Sequence, residues 1–274
     1  MSLRFRAPLF LAAALVAVTA SGCGSGMTAP DSAQEAYDDG VEAYEDGRYG
    51  RAIEHFRTTL DFGRTSPLAA DAQLYLARAY DNDRQHLLAG SEYTRFIEFY
   101  RSDPRVPEAA FERIQTYAKL SPDHELDQTD TQRAIDYIRV YLVQYPQSEF
   151  APEAEALLAD LREKLALKRF DNGRLYERRD LHEAAVVYYE GVLQEYPTSE
   201  WADDAMLGAL RAQVAFARAS VPARQAERYD EALAKYDRFV TLFPTSPLVR
   251  DAEQLYDEAF RARQRLGEPT ANNE

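Results

Sequence analysis

The chain has 274 residues, 46% of them hydrophobic and 28% charged, a globular composition that argues against disorder beyond the ends and supports a continuous core. With 32 Lys and Arg against 46 Asp and Glu, the net charge of −14 repels phosphate backbones and argues against nucleic acid as a partner. A single Cys rules out an intrachain disulfide.

Residues 1–22 open with Arg4 and Arg6 and continue in an uncharged apolar run of 14 residues, Ala7 to Ala20. That is shorter than the ~20 residues a membrane-spanning helix needs, so the segment reads as a secretory signal. Ala20-Ser21-Gly22-Cys23 follows at once and looks like a bacterial lipobox, whose small residues fit a peptidase cleft and whose thiol takes a diacylglyceryl group. Cys23 is therefore the expected lipidation site and mature N-terminus. The competing reading is ordinary cleavage after Val18-Thr19-Ala20, which leaves Cys23 a free thiol. A multiply acylated Cys23 would anchor the protein stably, at ~0.8 kcal/mol per buried CH₂. Gly24 stands where an inner-membrane retention signal places Asp, which implies the periplasmic face of the outer membrane. Residues 23–31, rich in Gly, Ser and Thr, read as a flexible tether.

The remainder repeats itself. Ala134, Ile138, Tyr141 and Pro146 recur as Ala185, Tyr189, Val192 and Pro197, and again as Ala232, Tyr236, Phe239 and Pro244. Earlier, Ala52 with Phe56, and Ala89 with Tyr93 and Phe96, keep the pattern, while the prolines fall later at Pro67 and Pro104. Steps of four and three place these side chains on one helical face. An upstream helix precedes each segment. In the first, Ala36, Gly40 and Ala43 form a small stripe before a turn at Gly47-Arg48-Tyr49. Paired helices in tandem predict an all-α tetratricopeptide-repeat solenoid of about five helix pairs; an ordinary helical bundle is the plainer alternative. The repeats are spaced 37 to 51 residues apart, longer than the usual 34, with insertions after Leu120 and after Ala219. Ala151 to about Tyr176 reads as one long helix that couples the first three repeats to the last two. Pro247 to Leu266 reads as a capping helix.

In such stacks the first helix of each pair lines the concave wall, so residues one turn from its packing stripe face a groove. These are Tyr37, Val41 and Tyr44 in the first repeat, Leu74 and Arg78 in the second, and Phe111 and Gln115 in the third. Aromatic walls with a lone cation suit an extended peptide whose terminal carboxylate pairs with Arg78. The alternative is that these aromatics pack between adjacent repeats.

No catalytic or cofactor chemistry emerges. The four His, at 55, 86, 124 and 182, lack metal-ligand spacing. Asp123, Glu125 and Asp127 alternate like the start of a calcium loop, but Gln128 replaces the required Gly and Ala134 the bidentate Glu; they read as a solvated acidic loop. Gly24-Ser25-Gly26 belongs to the tether. The chain is expected to be no enzyme and to need no cofactor.

Three stretches carry a family resemblance: Asp127-Gln128-Thr129 before the second helix of repeat three, Tyr145-Pro146-Gln147-Ser148-Glu149-Phe150 before the long helix, and Arg162 to Tyr176 within it. With the anchor and the repeats, they make residues 31 to 266 resemble the BamD family of outer-membrane assembly lipoproteins. The resemblance implies a scaffold that docks on the periplasmic domains of a BamA-type protein, with further assembly lipoproteins such as BamC where present. It also implies that N-terminal repeats (32–149) receive C-terminal segments of unfolded outer-membrane proteins, that the long helix and C-terminal repeats (150–266) hold the partner, and that 267–274 is a disordered tail. The alternatives are a periplasmic tetratricopeptide coordinator of the Tol-Pal or cell-wall systems and a peptidoglycan-binding lipoprotein.

Overall fold

The computed structural model describes residues 31–267. The expected export signal, Cys23, most of the expected tether and the residues after Gly267 lie outside the described residues. Within them the chain forms eleven helices: α1 (Ala33–Glu45), α2 (Tyr49–Asp61), α3 (Ala69–Asn82), α4 (His86–Phe99), α5 (Val106–Leu120), α6 (Thr129–Gln144), α7 (Ala151–Glu177), α8 (His182–Glu195), α9 (Ala202–Arg218), α10 (Pro222–Leu242) and α11 (Val249–Gly267). Each packs on its neighbours in sequence; along one wall α1 touches α3, α5 touches α7, α7 touches α9 and α9 touches α11, while α3 reaches α5 through Arg78 and Glu112. Short connections make each pair antiparallel, giving five hairpins in a row closed by α11, the quasi-one-dimensional arrangement of a repeat solenoid.

The repeat residues form its core. Ala52, Phe56, Ala89, Tyr93, Phe96, Ala134, Ile138, Tyr141, Ala185, Tyr189, Val192, Ala232 and Phe239 are each at most 2% exposed. The long helix is shared between the two halves. Ala154 and Leu161 join a cluster with Ile114 and Ile138 of the third pair, whereas Ala166 and Phe170 join Ala185, Tyr189 and Ala205. The boundary expected at 149/150 thus crosses a continuous core, and Phe111 stacks on Phe150 across it with ring centroids 5.2 Å apart.

One turn recurs between hairpins. Ser66, Asp103, Ser148, Ser199 and Ser246 each stand 14 residues after the repeat alanine. Each donates its N–H three residues back, to Gly63, Tyr100, Tyr145, Tyr196 and Phe243. Each side-chain oxygen accepts the N–H two residues on, at 3.4, 2.9, 3.3, 3.1 and 3.1 Å. The side chain thereby satisfies a backbone donor just ahead of the next helix, where no helical carbonyl is available. Proline sits two places before this residue in the last three repeats and one place after it in the first two, so the shifted prolines mark one conserved geometry. Variation in repeat length consequently falls between this turn and the next repeat alanine, in the first helix of a pair, its connection or the opening of its second helix. The insertion after Leu120 is a loop, whereas that after Ala219 mostly lengthens α10, which runs 21 residues from Pro222.

Close approach of the helices relies on small residues. A methyl at Gly40 would lie 2.8 Å from the Phe56 ring, and Tyr189 is wedged between Gly173 and Gly208, where a methyl would come within 2.6 and 2.7 Å of it.

Candidate functional site

The residues expected to line a groove on the first three hairpins fall into different environments. Tyr37, Val41 and Tyr44 are half-buried on α1. Tyr37 meets Phe56 and Tyr75 edge-on at 6.0 and 6.2 Å, and Tyr44 meets Tyr75 at 5.4 Å. Asn82 Nδ2 donates to the Tyr44 hydroxyl at 2.8 Å. Leu74 and Phe111 do not face the groove: at 1% and 3% exposure they are core residues. The reason is that α3 and α5 are covered on both sides, by α2 and α4 and by α4 and α6, so the packed arc of an interior helix is wider than that of α1. Tyr75, beside Leu74, takes the half-open position instead.

Arg78 lines a cleft beside them but is not a lone cation. Its Nε donates to both carboxylate oxygens of Glu112, at 2.9 and 3.0 Å, and its Nη2 to Glu108 Oε1 at 2.7 Å. Burial would lower the guanidinium pKa, but the hydrogen bond and charge of Glu112, with the charge of Glu108, outweigh it and raise it. Burial pushes the Glu112 carboxyl up despite Arg78, and the neighbouring Tyr93 phenol is raised chiefly by burial as well. Gln115 donates to Glu153 of α7 at 3.0 Å. Tyr44, Arg78 and Gln115 thus come together, with Asp81, Asn82, Tyr93, Glu108 and Glu112, around a cleft of about 360 Å³. Asp81 is held by Lys119 at 2.5 Å and by His86 at 2.8 Å. The two glutamates escaped the sequence reading. The repeat register gave no signal for them, since it steps by 37 residues here and sets Arg78 against Gln115, whereas Glu112 lies 34 residues on.

A second cleft, of about 760 Å³, opens at the turn edge between Pro104–Glu108 and the Gln144–Phe150 segment. Glu108 lines both clefts. Arg105 beside it is clasped by Asp71 at 2.6 Å and Asp103 at 2.7 Å.

The Asp127-Gln128-Thr129 stretch is a structural joint. Asp127 Oδ1 accepts the Thr129 N–H at 2.9 Å, and Gln128 Nε2 donates to the carbonyls of Asp123 and Leu126 at 2.8 and 3.0 Å. Lys168 of α7 sets its ammonium among the carbonyls of His124, Glu125 and Leu126, at 3.0, 3.2 and 2.8 Å. A lysine, which donates three hydrogen bonds, therefore pins the loop with its backbone oxygens, while the carboxylates of Asp123, Glu125 and Asp127 remain exposed. In the C-terminal half, Glu177 accepts from Arg211 Nε at 2.5 Å and from the Tyr189 hydroxyl at 2.7 Å. Burial opposes its ionisation, but those two donors and the Arg211 charge prevail and hold its pKa below the usual carboxylate value.

Residues 29–217 match the model of the YfiO family, described as an outer membrane lipoprotein. The outer membrane protein assembly factor BamD of Caulobacter vibrioides is 24% identical over 207 residues, covering 73% of this chain and 68% of its own. Among solved structures, a tetratricopeptide-repeat protein of Bacteroides fragilis is 15% identical, covering 86% of this chain and 100% of its own with a TM-score of 0.46. One from Thermus thermophilus is 16% identical, covering 84% and 100% with a TM-score of 0.33.

Proposed function

The chain belongs to the YfiO family of outer-membrane lipoproteins, and from that premise we propose that it is a non-catalytic scaffold of the β-barrel assembly machinery, lipid-anchored through Cys23 at the periplasmic face of the outer membrane. The match over residues 29–217 carries this reading. On this reading the protein has a BamA-type partner, whose periplasmic domains dock on the half from α7 onward, and further assembly lipoproteins where the cell has them. The inner wall of α1, α3 and α5 receives segments of unfolded outer-membrane proteins. A stack of hairpins suits both tasks, because its inner wall and its far end are separate surfaces of one continuous array.

The test is detergent extraction of envelopes containing the full lipidated chain, capture through a C-terminal tag, and mass spectrometry. Stoichiometric recovery of a BamA-type β-barrel protein is expected. Recovery of Tol-Pal or cell-wall enzymes in its place, or co-sedimentation of the chain with purified sacculi, would overturn the proposal.

A further inference from the structure

The two N-terminal clefts meet at Glu108, and their chemistry differs on either side of it. The inner cleft sets three carboxylates, Asp81, Glu108 and Glu112, against the guanidinium of Arg78. Even with Lys119 counted against Asp81, acid is in excess. The Glu112 carboxylate, only 24% exposed, is already disfavoured by burial, so a second cation nearby would relieve an existing cost. A carboxylate ligand meets the opposite situation. The Nε and Nη2 donors of Arg78 are taken by Glu112 and Glu108, and an incoming anion would approach two like charges at short range in a partly desolvated cleft. The outer cleft presents Pro104, Pro107, Tyr145, Pro146 and Phe150, a run of rings bordered by polar side chains, of which the Arg105 guanidinium is already held by Asp71 and Asp103. Its volume of about 760 Å³ accommodates a bulky side chain and adjoining backbone.

We propose that the joined clefts form one site for an extended internal segment of unfolded polypeptide that carries a basic side chain next to a bulky apolar one. The cation seats against Glu108 and Glu112, and the apolar side chain lies among Pro104, Pro107, Tyr145 and Phe150. Arg78 acts as a positioning residue that holds the two glutamates in place, and the C-terminal carboxylate of a substrate is not what the site reads. This rests on the reading that the N-terminal half receives unfolded protein, and it specifies the kind of segment taken.

Fluorescence anisotropy on the mature full chain tests it with three labelled twelve-residue peptides. One is acetylated and amidated with an Arg two residues from a Phe. The second replaces that Arg by Glu. The third keeps the Arg and ends in Phe with a free carboxylate. The Arg peptide should bind about fivefold or more tighter than its Glu twin at low salt, the scale of one partly exposed ion pair, and salt should weaken it. Freeing the carboxylate should weaken binding or leave it unchanged. Glu108→Gln, which keeps a hydrogen-bond acceptor for Arg78, should reduce the Arg-over-Glu preference while circular dichroism stays the same. Preferential binding of the Glu twin or of the free-carboxylate peptide, or an unaltered preference in folded Glu108→Gln protein, would overturn the inference and leave the receiving role of this half standing. Failure of all three peptides to bind would remove both.

Discussion

Replacing Gly173 by Ala is the sharpest test of how the hairpins are held together. On helix propensity alone the change favours folding, since Ala exceeds Gly by roughly 0.8–1 kcal/mol in a helix interior. The structure predicts the opposite sign. An added methyl would lie 2.6, 2.7 and 2.9 Å from three atoms of the Tyr189 ring, closer than packed carbons approach. The ring cannot retreat: it is fully buried, its far side faces Gly208 with no more room, and its hydroxyl is bonded to Glu177 at 2.7 Å. Overpacking of this kind costs ~1–3 kcal/mol, and a ring trapped between two backbones belongs at the upper end. Subtracting the propensity gain leaves a net loss of about 2 kcal/mol. At roughly 2–4 °C per kcal/mol for a chain of this size, melting should fall by ~4–8 °C. Circular dichroism gives the midpoint, and amide hydrogen exchange should place the loss of protection in α7, α8 and α9. Gly50→Ala is the control, because a methyl there meets nothing within 4 Å and should be neutral or mildly stabilising. A Gly173→Ala protein that melts at or above the parent would refute the wedge.

Four further outcomes can be measured. Arg78→Ala leaves Glu112 half-buried beside Glu108 with no cation, and should cost about 1–2 kcal/mol of stability in urea unfolding, after discounting for partial exposure; an unchanged midpoint would show that the clasp is not made. The pKa of Glu177 is depressed in the folded state, so its contribution is complete above the unfolded value of 4.5 and is lost as pH falls through the folded one; Glu177→Gln should flatten the acid limb of a stability-versus-pH curve, and an unaltered limb would count against it. Tyr37 behaves in the opposite direction, raised from 10.0 to about 12 mainly by burial, so stability held below pH 10 should fall between pH 10 and 12, less so in Tyr37→Phe. Cys23→Ala should release the protein from membranes with helicity intact, and membrane fractionation of that variant without its partners would rule out the anchor.

Much of this architecture could be read from the chain alone because it rests on local periodicity. Alanine and aromatic residues at steps of four and three, the small stripe of α1 and the proline opening α7 each act within one or two helical turns, and the hairpins they imply are present. Even the shifted prolines of the first two repeats resolve into one turn, centred on a Ser or Asp at constant distance from the repeat alanine. What tertiary structure alone decided is which faces stay open and which charges meet. Leu74 and Phe111 carry the same helical phase as their counterparts on α1, but α1 ends the stack while α3 and α5 are covered from two sides, so the same phase is half-open on α1 and buried farther in. Arg78 looked unpartnered because its carboxylates lie 30 and 34 residues away, on the next inner helix. The distance between those helices, and the one-turn stagger that aligns Arg78 with Glu112, depend on side-chain packing across repeats that no single helix encodes.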